Sequence, residues 1–424
     1  MPLKIIICGG GIGGLSAAGY LRANHDVTVL ERSKLDFTIN DYGLSVVANA
    51  FNLLQKAGIK QENLDMVVMT HLWLRTHNNE EMRTEHFDTR ARFGGAPSVL
   101  LKRAKLQEEL MRFATSNEFA GGPAKVIENA KVTRVDAGAG KVWSEDGQVF
   151  EGDLIIGADG IHSIVRSAVL GGETPSRIRN TDTITFMAKL SVEDLRSDAS
   201  FAYLADPAKQ AGLCSAYAKS GPEVKKRILT YHTSLHGLQV VGYTVENEFA
   251  EKFASAKSAI IKDIPISRVV EDFAPEFSDD LVNLFRHSKV DAWKIRDLAS
   301  MDTWYSGKAL LIGDAVHAVT PHAGQGANIT IEDAEALGYL LRDVESSDAI
   351  PDVLEKFVSL RKDRVNFVTR RSRELGNIQT DEDRTKVPIT SAEFAKEIYT
   401  YLGAEHALKV PKPPIGAEAT KGAN

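Results

Sequence analysis

Cysteines, long apolar runs and a large excess of one charge are all missing from this 424-residue sequence. Its two cysteines, Cys8 and Cys214, are too few for a disulfide framework or a cysteine-rich zinc site, and they predict a reducing compartment. No apolar run reaches the roughly 18 residues of a membrane-spanning helix. The net charge of −6 argues against nucleic acid as a partner and gives no indication of an anionic membrane surface. We expect a soluble, cytoplasmic protein.

Motifs of several other protein classes are also absent. No G-x-S-x-G nucleophile elbow occurs, and the serine, cysteine and histidine residues are not arranged as a hydrolase triad. The N-terminal apolar stretch is short and is interrupted by glycines, so no signal peptide is expected. With 43% hydrophobic and 25% charged residues, the composition is that of a globular protein, and a chain of this length is expected to form two interlocked lobes.

The most informative stretch lies at the N-terminus. Residues 3–8 form an isoleucine-rich run typical of a buried strand, and Gly9, Gly11 and Gly14 follow with the spacing G-x-G-x-x-G before an alanine-rich helical segment. The first glycine permits a tight turn, the second lets the backbone approach a pyrophosphate, and the third lets helix and strand pack closely. The phosphates would lie at a helix N-terminus, where unpaired N–H groups and the helix dipole favour negative charge.

An acidic residue completes this motif. A second predicted strand, residues 27–30, ends at Glu31, which is placed to accept hydrogen bonds from an adenosine ribose. The alternative is a glycine-rich turn without a ligand, but strand, helix and terminal acid all occur in the expected order. The stretch therefore predicts a dinucleotide site.

Two further junctions of the same kind follow along the chain. Asp159 and Gly160 come directly after the apolar run DLIIGA, and Gly313 and Asp314 come after the run KALLIG. A glycine-rich segment, GQGAN at residues 324–328, then opens a long predicted helix. Three such junctions in this order are far more specific than the first one alone.

With these three motifs the sequence resembles the single-component FAD-dependent aromatic hydroxylases, also called group A flavoprotein monooxygenases. Salicylate hydroxylase and para-hydroxybenzoate hydroxylase are members of that family. The resemblance covers about residues 1–375 and does not extend to the C-terminal tail. It implies one tightly held FAD, NADH or NADPH as a transient electron donor, and O2 as co-substrate. The implied reaction is hydroxylation of an electron-rich ring through a flavin C4a-hydroperoxide.

The resemblance also implies which residues contact the cofactor. Asp159 and Gly160 match a motif shared between FAD and nicotinamide contacts, and Asp314 matches the acid that holds the ribityl chain or the pyrophosphate. Tyr42 is a departure, because the family usually has a run richer in glycine and alanine before its asparagine, here Asn49. The expected cofactor-binding residues are Gly9, Gly11, Gly14, Glu31, Arg32, Gly43, Arg103, Asp159, Asp314, Gly324, Gly326 and Ala327.

The last of these motifs has a physical interpretation of its own. A helix that begins near Gly326 aims its N-terminal N–H groups at whatever lies in front of it. At the N1–C2 edge of a flavin such a dipole would stabilise the anionic reduced ring. Pro321 matches the proline that lies beside the flavin in the family, whereas His317 is expected to be structural.

The substrate pocket is less clearly marked. The family builds it from the middle sheet and the loop around Pro321, which nominates the side chains Tyr203, Tyr217, His232, His236, Tyr243 and His322. A histidine or tyrosine could activate a phenol, but each could equally be a packed or surface residue with its polar end hydrogen-bonded. The predicted catalytic residues are His232, Tyr217, Tyr243 and Pro321, and no metal ligand is predicted.

The expected fold class is α/β, with a doubly wound FAD-binding domain interleaved with a substrate domain on a mixed β-sheet, plus C-terminal helices. The residue pattern further predicts a β-meander over residues 125–156, a strand at SFAYLA and helices over residues 247–288. The predicted division assigns residues 1–75, 101–180 and 291–345 to the FAD-binding domain, 76–100 and 181–290 to the substrate domain, 346–405 to C-terminal helices and 406–424 to a flexible tail.

The predicted function is therefore an FAD-dependent NAD(P)H:aromatic monooxygenase acting on a small phenolic or aromatic-acid substrate, as a monomer or homodimer. One alternative keeps the flavin and changes the reaction to epoxidation or dearomatising oxidation in secondary metabolism. Others are a flavin dehydrogenase or reductase without oxygen insertion, and a non-catalytic nucleotide-binding regulator. A flavin halogenase is disfavoured because the motif W-x-W-x-I-P is absent.

Overall fold

The computed structural model describes residues 1–39, 41–172, 177–196, 198–221, 225–245 and 259–410. The strands are β1 (Lys4–Cys8), β2 (Asp26–Leu30), β3 (Gly43–Val46), β4 (Val67–Val68), β5 (His71–Arg75), β6 (Glu81–His86), β7 (Val99–Lys102), β8 (Lys125–Ile127), β9 (Val132–Asp136), β10 (Lys141–Ser144), β11 (Val149–Glu151), β12 (Leu154–Gly157), β13 (Ile178–Ser191), β14 (Gly212–Tyr217), β15 (Arg227–His232), β16 (Gly237–Val245), β17 (Ile260–Ile264), β18 (Val290–Leu298), β19 (Tyr305–Ser306) and β20 (Ala309–Leu311). The helices are α1 (Ile12–Leu21), α2 (Ala48–Lys56), α3 (Thr89–Phe93), α4 (Arg103–Thr115), α5 (Ile164–Val169), α6 (Val192–Arg196), α7 (Ile266–Phe273), α8 (Asp279–Asn283), α9 (Asp314–His317), α10 (Gly326–Leu341), α11 (Ile350–Leu375), α12 (Asp381–Arg384), α13 (Ser391–Tyr399) and α14 (Ala404–Lys409).

The first sheet is mostly parallel and has β1 at its centre. Its strand order is β19-β20-β12-β1-β2-β8, and β1 pairs in parallel with both β2 and β12. Ile5 and Ile7 are fully buried, as expected for a central parallel strand that is covered by helices. Helix α1 packs against α10 and α4 on this sheet. The carboxyl ends of β1, β12 and β20 therefore lie side by side, where a doubly wound sheet binds its ligand.

The second sheet is mixed and larger. Within the described residues its strand order is β17-β18-β13-β16-β15-β14-β5-β6. One face packs on α7 and α8 through an aromatic cluster in which the Phe186 and Phe273 rings lie 6.1 Å apart. The other face carries Tyr231 and Tyr243 and packs towards β7. Because strand side chains alternate between faces, a shift of one residue decides which of the two environments a side chain enters.

A small sheet joins these two units. Strand β3 pairs antiparallel with β7, and Gly43 lies opposite Lys102. Strand β7 leads directly into α4, so its pairing with β3 places β3 beside the start of that helix. The sheet thus lies between the parallel sheet and the tyrosine-bearing face of the mixed sheet.

The predicted fold class is confirmed, but several elements differ from the sequence-based expectation. Residues 125–156 form a meander only over β9–β11, because β8 and β12 pair in parallel within the first sheet. The segment SFAYLA lies in a 3₁₀ helix, Ala199–Leu204, rather than a strand. Ile260–Ile264 is a strand that pairs with β18, although helix was expected there; residues 247–258 of that expectation lie outside the described residues. Alternating short apolar segments do not by themselves fix the partner or even the type of an element.

Two strands near the expected domain boundaries pair within the mixed sheet, and the predicted division stays a prediction. Strand β5, expected in the FAD-binding domain, pairs with β14 and β6 in the mixed sheet. Strand β18 belongs to the same sheet because it pairs with β13 along most of its length. The sequence pattern identifies a strand but carries no information on which sheet it joins. Of the predicted tail, residues 411–424 lie outside the described residues.

The C-terminal helices are fixed to α10 by a buried ionic cluster. Glu332 accepts hydrogen bonds from Arg361 and Arg364, each at 2.7 Å, and Asp333 accepts one from Arg361 at 2.8 Å. The Arg361 side chain is fully buried, so both of its charged partners are needed to offset its desolvation. Two arginines of α11 thus serve as internal ion-pair partners. Among the described residues, no helix combines the length and apolar character needed to cross a membrane.

Glu335 on α10 is expected to make stability depend on pH. Burial raises the pKa of this carboxyl to about 7, against the opposing hydrogen bond from the Ala404 backbone N–H. The folded protein then binds more protons than the unfolded chain between pH 4.5 and about 7, so this group's contribution to the free energy of unfolding falls as pH rises. The fall is expected to amount to about 1–3 kcal/mol.

The measurement is urea unfolding at several pH values for the wild type and for Glu335→Gln. The variant cannot lose a proton at this position, so its stability relative to the wild type should increase as pH rises from 4.5 to about 7. Identical pH dependence in both proteins would contradict the assignment.

Candidate active site

The glycine loop after β1 has the geometry of a phosphate-binding turn. Gly9 has a φ of +108°, and a Cβ there would collide with the Ala158 carbonyl oxygen. A Cβ at Gly14 would collide with the carbonyl oxygen of Gly9, so helix and turn require glycine at this close approach. At Gly11, by contrast, a Cβ would meet nothing within 4 Å. Gly11 is the N-cap of α1 and faces open space, which leaves room for a ligand at the helix N-terminus.

Glu31 lies directly beside this loop at the end of β2. Its carboxylate accepts hydrogen bonds from the backbone N–H groups of Gly10, at 2.7 Å, and Ser33, at 3.0 Å. These bonds fix the carboxylate next to the loop and leave lone pairs on both oxygens for a further donor. Glu31 therefore stays the predicted ribose ligand.

Asp159 follows β12 and presents an unused acceptor. One of its oxygens, Oδ2, accepts hydrogen bonds from the backbone N–H groups of Ile164, at 2.7 Å, and Val165, at 3.3 Å. The other oxygen, Oδ1, is buried and has no partner among the described residues. Burial raises the pKa of Asp159, although the hydrogen bonds that it accepts oppose the rise. A buried acceptor of this kind calls for a donor from a ligand or from solvent.

Asp314, at the third junction, and Arg103 influence each other electrostatically. Asp314 is the first residue of α9 and follows Gly313, which has a φ of +57°. The Asp314 side chain is exposed, yet desolvation by the surrounding protein raises the pKa of its carboxyl, with the charges of His317 and Arg103 opposing the rise. Burial lowers the pKa of Arg103, and the charges of Asp314 and Asp41 raise it again. The pair offers an acceptor and a donor to one ligand.

Asp333 on α10 holds this junction in place. Its Oδ2 atom accepts the Gly313 backbone N–H at 3.0 Å and lies 2.6 Å from Nε2 of His317. The charges of His317 and Arg361 keep the pKa of Asp333 low despite the burial that would raise it. The structural role expected for His317 thus consists of joining α9 to α10.

The loop before α10 is tied to β3. Gly324 has a φ of +63°, the left-handed conformation that favours glycine. Asn328 in the first turn of α10 donates to the carbonyl oxygens of Gly324, at 2.8 Å, and Ser45, at 3.1 Å, and accepts the Val47 N–H at 2.9 Å. The N-terminal N–H groups of α10, which include those of Gly326 and Ala327, have no side-chain cap and open beside β3. This opening is the place that the flavin ring is expected to occupy.

Two of the predicted catalytic tyrosines lie on the sheet face that looks towards this opening. Tyr243 is 4% exposed, and its ring lies 5.2 Å from that of His322, the neighbour of Pro321. Arg227 pairs across the strands with both Tyr217 and Tyr243, so the three side chains share one face. The Arg227 guanidinium lies 4.2 Å above the Tyr243 ring and 3.2 Å from Nδ1 of His322.

The remaining nominated side chains lie elsewhere. His232 is fully buried on the opposite face, where its ring nitrogens pair with the backbone of Gly212 and Leu204. Tyr203 contacts Asn79 and Cys214 behind the sheet, and burial raises its pKa. His236 lies in the turn between β15 and β16. The structure does not bring these residues to the face that carries Tyr243.

A positively charged patch lies beside the Asp159 junction. The exposed ring of His162 is 3.0 Å from the guanidinium of Arg296, and burial together with the charges of Arg296, Arg166 and Arg32 lowers the pKa of His162. Arg296 has no acidic partner within ion-pair distance among the described residues. Arg32, predicted as a cofactor contact, therefore contributes to a patch that suits an anionic ligand.

The residues present fit FAD. The open space over Gly11, the unpartnered Oδ1 of Asp159, the exposed Asp314 with Arg103 and the uncapped N-terminus of α10 line one continuous edge of the parallel sheet. They supply, in order, an anion site, an acceptor, a donor–acceptor pair and a helix dipole. This set defines a flavoprotein of the dinucleotide-binding type.

Comparison with known families agrees with this class. Residues 3–372 match the family described as FAD binding domain, and the chain belongs to that family. Hispidin-3-hydroxylase of Neonothopanus nambi is 29% identical over 378 residues, which cover 88% of this chain and 88% of that protein. The FAD-dependent monooxygenase penE of Penicillium thymicola is 26% identical over an alignment that covers 94% of this chain and 83% of that protein.

Solved structures share the fold over nearly the whole chain. A salicylate hydroxylase substrate complex superposes with a TM-score of 0.71 at 22% identity and covers 97% of this chain and 99% of that one. CtdE in complex with FAD and a substrate gives a TM-score of 0.76 at 19% identity and covers 96% and 98% of the two chains. The prediction of an FAD-dependent monooxygenase that uses O2 is confirmed, whereas the individual site residues stay predictions.

The sequence alone did not single out the residues that arrange this site. Arg227, Asp333 and Arg296 were not among the predicted site residues. A charged residue at the end of a strand, as at Arg227, usually indicates a solvent-facing position. The signal in the sequence that could have found Arg227 is its spacing across the strands. Once the β15–β16 hairpin is aligned, Arg227 lies opposite Tyr243, and the two side chains therefore share one face of the sheet.

Proposed function

We propose that this flavoprotein hydroxylates a small aromatic substrate that carries a negative charge, as a carboxylate or a phenolate, with NAD(P)H as electron donor. The observation that carries the proposal is the half-buried Arg227 guanidinium at the flavin opening. Among the described residues it has no acidic partner within ion-pair distance, and its contacts are the neutral groups Tyr243 and His322. A guanidinium withdrawn from water without a counter-charge is best satisfied by an anionic group of a ligand.

His322 is suited to hold Arg227 in this position. Burial and the charge of Arg227 lower the pKa of His322 to about 3, so the ring is neutral at physiological pH. A neutral ring accepts the Arg227 hydrogen bond through Nδ1, at 3.2 Å. This bond places the guanidinium beside the loop that contains Pro321, which lies next to the expected flavin position.

The phenol groups on the same face would position the reacting ring. Tyr243 and Tyr217 flank Arg227 across the strands, and no other hydrogen bond of either hydroxyl competes with a substrate among the described residues. The Tyr231 hydroxyl is occupied, since it donates to the Gly43 carbonyl at 2.8 Å. Tyr243 and Tyr217 can accept or share the proton of a substrate hydroxyl, while Arg227 favours its anionic form. We assign His232 a packing role instead.

The cofactors would complete the reaction at the two ends of this cleft. Bound FAD supplies the redox and oxygen chemistry. The chain's part is to hold the pyrophosphate at the Gly11 loop, to orient the ring between β3 and the N-terminus of α10, and to exclude water. The patch formed by Arg32, His162 and Arg296 would attract the phosphates of the nicotinamide donor.

The names of fold neighbours are in line with an anionic substrate. Salicylate hydroxylase and 2-methyl-3-hydroxypyridine-5-carboxylic acid oxygenase are named for aromatic acids, and PqsL is described in complex with 2-aminobenzoylacetate. At 19–22% identity these structures share the fold alone. The choice of an acidic or phenolic substrate for this chain therefore depends on Arg227.

The test is NAD(P)H oxidation by the purified holoprotein across matched pairs of aromatic compounds, with hydrogen peroxide assayed in parallel. Each pair contains a phenol or aromatic acid and its neutral ether or ester. The acidic member should accelerate oxidation at least about tenfold more than the neutral one, with little peroxide. Acceleration with stoichiometric peroxide would identify a compound that triggers reduction without being hydroxylated. Equal stimulation by both members would contradict the proposal.

A further inference from the structure

Tyr42, the residue that departs from the family pattern, connects the flavin-facing strand with the edge of the mixed sheet. Its carbonyl oxygen accepts the Arg103 backbone N–H at 2.9 Å, so its backbone is attached to the start of α4. Its side chain is 7% exposed and points away from that helix, towards β17 and β18. The residue directly before β3 is thus held from two directions.

The Tyr42 hydroxyl is part of a triad with Asp291 and Lys262. It lies 2.5 Å from Asp291 Oδ2 and 3.1 Å from Lys262 Nζ, and Lys262 Nζ lies 2.8 Å from the same carboxylate oxygen. The Tyr42 ring also packs edge-on against Trp293, with centroids 4.9 Å apart. Charge-assisted hydrogen bonds of this kind are among the stronger ones in proteins.

The next residue, Gly43, is pressed against the same sheet. Its carbonyl oxygen accepts the Tyr231 hydroxyl at 2.8 Å, and its N–H donates to the side chain of Gln239 at 3.3 Å. A Cβ at Gly43 would collide with Thr233 and crowd Tyr231, so the backbone itself forms the contact. Tyr42 and Gly43 together dock the beginning of β3 on the substrate-side sheet.

The end of β3 is held by a different element. Asn328 binds the Ser45 carbonyl oxygen and the Val47 N–H, which attaches this end to the N-terminus of α10. The segment from Tyr42 to Val47 therefore bridges the mixed sheet and the helix that faces the flavin. A displacement of the Tyr42 end must therefore be absorbed within this short strand or be transmitted to the Val47 end.

We propose that the Tyr42 triad, consisting of Tyr42, Asp291 and Lys262, positions β3 as the wall of the flavin opening and couples the substrate-side sheet to the cofactor. Tyr42 acts here as a positioning residue. The triad lines a cavity of about 480 Å³ together with Lys189 and Ser288. The inference rests on FAD binding at the cofactor site described above and not on the proposed charge of the substrate.

The experiment compares Tyr42→Phe and Asp291→Asn with the wild type. Each variant keeps the shape of its side chain. Tyr42→Phe removes both hydrogen bonds of the hydroxyl, to Asp291 and to Lys262, and Asp291→Asn removes the negative charge of the carboxylate that both partners share. Apoprotein is titrated with FAD, and the bound fraction is followed by flavin and tryptophan fluorescence. We expect each variant to bind FAD about three- to tenfold more weakly, because part of the lost hydrogen-bond energy had fixed the wall of the site. The double variant should be no weaker than either single one, since both changes break the same triad.

The control is Tyr401→Phe. Tyr401 is also 7% exposed, but its hydroxyl has no partner among the described residues, so the change removes a buried hydroxyl without breaking a hydrogen bond. Its FAD affinity should equal that of the wild type. The peroxide produced per NAD(P)H should rise in the triad variants and not in the control. FAD affinities of both triad variants within about twofold of the control, or additive losses in the double variant, would overturn the proposal. If the substrate assay of the proposed function failed but the FAD affinities changed as expected, the role of the Tyr42 triad would still be supported.

Discussion

Gly11→Ala is expected to give a folded protein that purifies without bound FAD. In the structure a Cβ at Gly11 would meet no atom of the chain within 4 Å, so the substitution introduces no internal collision. The same Cβ would project from the N-cap of α1 into the space where the pyrophosphate is expected to lie. A loss of at least about 100-fold in FAD affinity is expected, because close approach of the phosphates to the N–H groups supplies much of the binding.

Two other glycine variants make this result interpretable. At Gly14 the added Cβ would collide with the Gly9 carbonyl oxygen, so Gly14→Ala should lower the melting temperature of the apoprotein itself. At Gly122, far from the site in sequence, an added Cβ also meets nothing within 4 Å, and Gly122→Ala should bind FAD like the wild type. Thermal unfolding of the apoproteins and titration with FAD separate the three outcomes. Wild-type affinity in Gly11→Ala would show that the pyrophosphate does not lie over this glycine.

The cofactor half of the site could be predicted from the sequence because its requirements are local. Gly9 and Gly14 are needed for a turn and a helix contact within a few residues, and Glu31 ends the very next strand. Such constraints leave a fixed spacing that can be read directly from the chain. The outcome was a confirmed fold class and cofactor, with the glycine loop in the expected geometry.

The substrate half could not be predicted in the same way, since it depends on strand register. Tyr231 and His232 are adjacent, yet one faces the flavin opening and the other is buried on the far face. The two faces differ by one position along the strand, and both environments accept aromatic residues. Hydrophobic alternation did not decide between them, because the buried far face and the active-site face are both largely apolar.

Long-range ties were equally invisible in the sequence. Asp333, about one turn after the glycine-rich segment in α10, holds Gly313 and His317. Asp291 reaches Tyr42 from a position 249 residues later in the chain. Each is an ordinary acidic residue in an ordinary context. Only the sheet order, with β18 and β17 at the edge next to Tyr42, shows what these carboxylates bind.

Arg227→Gln is expected to lower kcat/KM for an acidic aromatic substrate by about 100-fold, while FAD binding is unchanged. Glutamine keeps a hydrogen-bond donor but removes the positive charge that, in the structure, has only Tyr243 and His322 as neighbours. Arg227→Lys restores the charge without the planar fork and should recover part of the loss. With the neutral ester of the same acid, wild type and Arg227→Gln should differ by less than about threefold.

The preceding residue supplies the matched control for this change. Lys226 donates to the Asp272 carbonyl oxygen at 2.6 Å and ion-pairs with its carboxylate at 3.5 Å, away from the Tyr243 face. Lys226→Gln removes the same charge one position earlier and should leave kcat/KM within about twofold of the wild type, because it does not touch the cleft. The measurement is steady-state kinetics of both variants with the acid and with its ester. If Arg227→Gln behaved like Lys226→Gln towards the acid, the anionic group would have to bind elsewhere in the protein.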